Sequence, residues 1–87
     1  MTKLGFIGAG NMAGALIKGL IAAKLYKPKN IIASDTISAQ LKKLKKTYNI
    51  EGFNDNRAVV RAAQTIILAV KPQILDHVLV EIGRAHV

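Results

Sequence analysis

Residues Lys3–Leu20 read KLGFIGAGNMAGALIKGL. A short apolar run (Leu4, Phe6, Ile7) meets Gly8-Ala9-Gly10 and passes directly into a helix-periodic segment. Strand, tight turn and helix N-terminus in that order form the cradle that seats a dinucleotide pyrophosphate. Each small residue has a steric task. Gly8 lets the chain turn sharply off the strand, and Gly10, lacking a Cβ, lets the backbone approach the phosphates. Ala13, in the third small position, keeps the helix close to the strand. The unpaired N–H groups of the first helical turn, with the helix dipole behind them, then face the phosphate oxygens. Asp35 lies 22 positions beyond Ala13, a spacing that suits the end of a second strand, where an acidic residue meets the adenosine ribose.

Working outward, 87 residues allow one small domain that buries roughly 60–65% of its unfolded surface. A hydrophobic fraction of 51% suits an α/β unit whose strands are covered on both faces. No apolar run approaches the ~20 residues of a membrane span. There are no cysteines, which excludes disulfides and thiolate metal sites. His77 and His86 have no partner spacing that suggests a metal, so no metal site is assigned and both are expected on the solvated surface. The formal charge of +8 raises the question of nucleic acid. However, Lys42, Lys43, Lys45 and Lys46 interleave with Leu41, Leu44 and Tyr48 at helical spacing. That pattern reads as a solvated helix face opposite a buried one, so no nucleic-acid partner is expected.

Along the chain, the first helix is expected from Asn11 to Ala23, with Met12, Leu16 and Leu20 recurring every four positions and Ile17 and Ile21 beside them on its apolar stripe. A loop around Pro28 leads to a second strand, Ile31 to Asp35. Ser38 is the expected N-cap of the second helix, and Asn49 the left-handed residue that ends it. A short third strand spans Glu51 to Phe53. Asn54-Asp55-Asn56 supplies cap chemistry for a third helix holding Val59, Val60 and Ala63. Thr65 to Val70 is a continuous apolar run suited to a buried parallel strand, and a fourth helix follows Pro72. The order is βαβαβαβα. Right-handed crossovers then predict an α/β, Rossmann-like parallel sheet in the order 3-2-1-4, incomplete relative to a full domain of that type.

GFIGAGNMAGALIKGL, NIIASD and LAVKPQIL, in this order and spacing, resemble the N-terminal half of the pyrroline-5-carboxylate reductase family. The likeness covers Met1 to about residue 80. The resemblance implies an NAD(P)H-dependent reduction of 1-pyrroline-5-carboxylate to L-proline, the last step of proline synthesis, in a cytoplasmic homo-oligomeric enzyme. It also implies roles for particular positions. Ile7, Gly8, Ala9, Gly10, Asn11 and Met12 match the pyrophosphate loop, with Ala13 beyond it. Ser34 matches a contact to the adenosine ribose or its 2′-phosphate, and Asn56 a residue near the adenosine end. Ala69, Val70, Lys71 and Pro72 match a segment along the nicotinamide side. Asp35 would accept the ribose hydroxyls of NAD(H) and repel the 2′-phosphate of NADP(H), whereas Ser34 and nearby lysines pull the other way. The preference between the two coenzymes stays open.

The imine site and dimer interface of the resembled family lie in a C-terminal half that follows the matched region, so no catalytic residue is assigned. As it stands the chain is expected to bind cofactor weakly and to reduce nothing. Residues 1–80 are expected to be the dinucleotide-binding part. Glu81–Val87 (EIGRAHV) match the translation of one frame of a common short-read sequencing adapter, agatcggaagagcacacgtc, with one preceding g completing the Glu81 codon. They are expected to be a translated, non-family tail. Three other readings remain. One is another 6-phosphogluconate-dehydrogenase-like enzyme, such as a deazaflavin-dependent NADP reductase. The others are a non-catalytic nucleotide-binding module and a basic nucleic-acid-binding protein resting on charge alone.

Overall fold

Alternation along two short strands sorts the core into two layers. In β1 (Leu4–Ile7) the side chains of Leu4 and Phe6 point to one face and Ile7 to the other. In β2 (Ile31–Ser34), Ile31 and Ala33 join the first layer and Ile32 the second. The computed structural model describes residues 2–85 of the chain, so the sequence-level expectation for His86 lies outside the described residues. The remaining elements are α1 (Asn11–Ala22), a short 3-10 turn (Pro28–Asn30), α2 (Ser38–Tyr48), β3 (Glu51–Phe53), α3 (Asn56–Ala62), β4 (Thr65–Leu68) and α4 (Pro72–Ala85).

The strands form one parallel sheet in the order β3-β2-β1-β4, the Rossmann-like arrangement expected from the sequence. Leu4, Gly5, Phe6 and Ile7 pair with Ile31, Ile32, Ala33 and Ser34 on one side. On the other side they pair with Thr65, Ile66, Ile67 and Leu68. Helices α1 and α2 cover one face through Ala13, Ile17, Leu41 and Leu44. Helices α3 and α4 cover the other through Val59, Val60 and Val78. The lysines at 42, 43, 45 and 46 are exposed while Leu41 and Leu44 beside them are buried. Among the described residues no helix is long and apolar enough to cross a membrane.

The local rules hold at several ends. Asn49 takes φ 60°, the left-handed conformation that closes α2, and its N–H donates to the Lys45 carbonyl at 2.9 Å. Asp55 caps α3 by accepting from the Arg57 N–H. Three expectations need correction. The buried stripe of α1 consists of Ala13 and Ile17, with Leu20 and Ile21 packed at its margin, while Met12 and Leu16 stay about half exposed. This helix is apolar around most of its circumference, so periodicity alone does not choose the inner face. Ser38 is the first residue of α2 and caps nothing; Ile37 precedes it, and the Ser38 hydroxyl instead accepts from Asn54 Nδ2 at 3.2 Å. Finally, the residues of β4 are exposed or only partly buried, although the apolar run suggested a buried strand; its place at the edge is the one the expected order 3-2-1-4 gives it.

Gly5 marks the tightest contact between sheet and helix. A Cβ there would lie 2.5 Å from Val59 Cγ1 and 2.8 Å from Ala63 Cβ, so α3 crosses β1 too closely for any side chain. Gly5→Ala is therefore expected to destabilise the fold by about 1–3 kcal/mol through overpacking. Urea denaturation checks this: the midpoint falls while the slope is retained.

Candidate functional site

The ends of β2, β1 and β4 converge at the glycine loop. Gly8 has φ +103°, and a Cβ on it would overlap the Ala69 carbonyl oxygen, so only glycine fits. Its N–H donates to the Ser34 carbonyl at 2.8 Å, while the Ala69 N–H donates to the Ile7 carbonyl at 2.8 Å. The loop is thus held to both neighbouring strands. Gly10 is extended and precedes α1, with no side chain capping the helix. The first bond within the helix runs from the Gly14 N–H to the Gly10 carbonyl at 3.0 Å. The amides of Asn11, Met12 and Ala13 therefore have no helical acceptor, and no acidic side chain stands in that turn. The helix dipole adds positive potential at the same place.

Asp35, just past β2, binds this loop to the rest of the site. Its Oδ2 accepts from the Ala9 N–H at 2.8 Å and its Oδ1 from the Ile37 N–H at 2.8 Å. Its backbone N–H donates to the Phe53 carbonyl at 3.1 Å, and its carbonyl accepts from Asn54 Nδ2 at 3.2 Å. One residue therefore joins the glycine loop, the turn into α2 and the end of β3. The loop-holding role was absent from the sequence-level reading, which saw Asp35 only as a ribose partner.

Beneath Asp35 runs a second polar chain. The hydroxyl of Ser34 donates to Asn56 Oδ1 at 2.6 Å, and Asn56 Nδ2 donates to Glu81 Oε1 at 3.4 Å. Ser34 is fully buried, on the α3 side of the sheet to which its strand position directs it. Next to Asn56, Arg57 forms a two-pronged pair with Asp55: Nε to Oδ1 at 3.2 Å and Nη2 to Oδ2 at 3.1 Å. The side-chain hydrogen bond from Arg57, aided by its backbone N–H, holds the Asp55 carboxyl below the usual range, and the same bond raises Arg57. Both side chains are about half exposed, so the pair adds little to stability.

Two open grooves flank the loop. One, of about 740 Å³, is bordered by Ala9, Asn11 and Met12 from the loop, Lys43 and Tyr48 from α2, and Pro72. The other, of about 450 Å³, is bordered by Ile7, Gly8, Asp35, Ile37, Asn56, Ile74 and Glu81, among others. Gly10, Gln40, Ala69, Val70 and Lys71 belong to both. The site residues expected from sequence therefore gather around one continuous crevice at the C-terminal ends of the strands, with two exceptions. Ala13 and Ser34 are fully buried beneath it and line neither groove. Gln40, Ile37, Ile74 and Glu81 are additions that no local motif marked. They reach the crevice from helix faces and turns set only by the fold.

The comparisons with known proteins follow this geometry. The family model described as NADP oxidoreductase, coenzyme F420-dependent, matches residues 3–87. A pyrroline-5-carboxylate reductase of Methanosarcina acetivorans is 48% identical over 77 residues, covering 88% of this chain and 28% of that protein. The solved pyrroline-5-carboxylate reductase of Coxiella burnetii superposes with a TM-score of 0.83 at 34% identity, covering 88% of this chain and 28% of that one. The Plasmodium falciparum pyrroline carboxylate reductase, solved with NADP bound, gives 0.79 at 31% identity over 97% of this chain and 29% of its own. The chain thus spans less than a third of the length of these relatives, and resembles their nucleotide-binding N-terminal part.

The Asp35 latch has a direct test. Ala9 is buried, so Asp35→Ala strands its N–H and is expected to cost about 1–3 kcal/mol. Hydrogen exchange should then accelerate at Ala9 and Ile37 well beyond the change at Ile17. Unaltered protection at Ala9 would refute the latch.

Proposed function

This chain belongs to the family of NADP oxidoreductases, coenzyme F420-dependent, and we propose that it is the nicotinamide-dinucleotide-binding part of an imine reductase that acts on 1-pyrroline-5-carboxylate. The observation that carries this reading is the uncapped first turn of α1. Its amides open beside two side-chain-free residues at the point where three strand ends meet. A pyridine dinucleotide fits there by the chemistry of its diphosphate: backbone donors, a positive helix end, and room where a Cβ would otherwise stand.

When bound, a reduced nicotinamide would supply the hydride that adds to the C=N carbon of the imine, with a proton taken up at its nitrogen, to give proline. This chain's own residues hold and orient. Gly8, Gly10, Asn11 and Met12 seat the diphosphate. Asp35 and Asn56 border the adenosine end, with Ser34 steadying Asn56 from below. Ala69, Val70, Lys71 and Pro72 lie along the groove where the nicotinamide half would run, and alignment with an imine bound there is what such a wall contributes. Residues 1–80 carry every position assigned to the dinucleotide. The substrate, the homo-oligomeric assembly and the cytoplasmic location belong to this proposal through the resemblance to the reductases. The family's description also favours a second reading, hydride exchange with a deazaflavin coenzyme, in which the dinucleotide occupies the same crevice.

Fluorescence titration of the chain with NADH and with NADPH tests the proposal. Gly10→Glu is the matching variant, because the backbone at Gly10 is one that any residue adopts, while Gln40 Oε1 already lies 3.2 Å from where a Cβ would stand. A carboxylate in the phosphate seat is expected to weaken both coenzymes by about two orders of magnitude, or roughly 3 kcal/mol. Retained binding in a folded Gly10→Glu chain would overturn the site.

A further inference from the structure

The positive charge of the chain is confined to its first part. Residues 1–50 hold nine lysines against one carboxylate, Asp35, whereas residues 51–87 hold four basic and four acidic residues and have no net charge. Strand β4 belongs to the neutral part, and the stretch Ala62–Val70 around it contains no charged residue and no proline. Helix α2, with four of the nine lysines, packs over β3, at the far side of the sheet from β4.

β4 pairs with β1 on one side, and among the described residues no strand pairs with its other side. The N–H groups of Thr65 and Ala69 donate to the Lys3 and Ile7 carbonyls, so these residues turn their peptide groups toward β1. Alternation then turns the N–H and carbonyl groups of Ile66 and Leu68 outward. The edge is apolar on both faces. Ile66 packs on the α3 layer and Ile67 on the α1 layer, while Leu68 is 36% exposed. Leu16 of α1 is 43% exposed on the same side of the molecule. Gly14 faces Leu44 of α2, and a residue two positions on lies on roughly the opposite flank of the helix. The other sheet edge is blunted: β3 has three residues, starts at the exposed Glu51 and contains Gly52.

We propose that the open edge of β4 is a self-association edge whose occupant is β4 of a second copy of this chain, antiparallel about a two-fold axis at Ile67. Ile66 of each copy then exchanges backbone hydrogen bonds with Leu68 of the other. The same two side chains meet as an apolar pair on the α3 face, and Ile67 meets its counterpart on the α1 face. Neutral part faces neutral part, and the α2 lysines of the two copies are held apart at opposite ends of the doubled sheet. The contact also closes on itself. Only the blunted β3 edges remain open, so growth stops at two copies. This edge is separate from the dimer interface implied by the resemblance, which lies beyond the matched region.

Sedimentation equilibrium and amide hydrogen exchange of the 87-residue chain provide the test. The mass is expected to rise with concentration from one chain to two and to stop there. Over the same range the Ile66 and Leu68 amides should gain protection that they lack in the single chain, while Ile67 is protected at every concentration. Leu68→Pro removes an outward donor and leaves the bonds to β1 whole, and Leu68→Lys keeps the backbone but places a charge on the edge. Each is expected to weaken association by about tenfold or more. Should Leu68→Pro fail to fold, Leu68→Lys and the exchange pattern decide. A chain that stays single up to millimolar concentration overturns the proposal. So does a dimer in which Ile66 and Leu68 exchange freely, a dimer that Leu68→Lys leaves intact, or growth past two copies.

Discussion

Gly8 is the residue on which the arrangement turns. It leaves the central strand at the one place where β2 lies on one side and β4 on the other, and it must pass between them. Its N–H is tied to the Ser34 carbonyl, and its Cα faces the Ala69 carbonyl at a distance that admits no Cβ. The positive φ that this passage requires is one that glycine adopts freely. Because the chain turns there, α1 begins directly above the strand ends, and the crevice between α1, the β2 end and the β4 end comes into being. Moving any of the three strands would close or split it. The binding site is in this sense a property of the sheet order, with the glycine as the condition that lets the order close.

Accounting for backbone donors shows why the loop stands ready before any ligand arrives. Gly8 donates to Ser34, Ala9 to Asp35 and Gly14 to Gly10. The amides left over are the first-turn donors of α1, which point toward the crevice. Had Ala9 lacked the carboxylate, the loop would hold a buried unpaired N–H and would relax to satisfy it. Asp35 thus contributes twice: it fixes the loop in the open, donor-presenting shape, and it leaves a carboxylate at the edge of the crevice. A loop already ordered in its binding shape spares the ligand the entropic cost of ordering it, which matters in a domain with so small a core.

Much of this was legible in the sequence, for identifiable reasons. The GAGNMA turn, the two strand-like runs beside it and the left-handed Asn49 obey local rules, and the sheet order follows from crossover handedness. The inner face of α1 was not legible, because Met12 and Leu16 compete with Ala13 and Ile17 and only the tight approach to the strand favours the small residue. Nor was the exposure of β4 readable from composition, although the expected strand order put it at the edge. An apolar run records what a strand is suited to, and says nothing about whether a neighbour covers its outer edge. Ser34 is the instructive case among the site residues. Its motif position suggested a ligand contact, yet period-two alternation places it on the face of Ile32, under α3, where it meets Asn56 instead of the crevice. Glu81 had no local signature at all. Its approach to Asn56 depends on how α4 packs on α3, a long-range outcome of the fold.

Charge in this chain acts at two ranges. The excess of lysine and arginine creates a positive field that draws any polyphosphate, with or without a 2′-phosphate, from beyond contact. Salt screens such a field within roughly 8–10 Å. Asp35 and Glu81 line one groove of the crevice, Lys43 of α2 lines the other, and Lys71 belongs to both. The two signs of charge are thereby set apart in space. The separation has a structural cause: lysines occupy the outer face of α2, whose inner face buries Leu41 and Leu44, whereas the carboxylates project from a strand end and from α4.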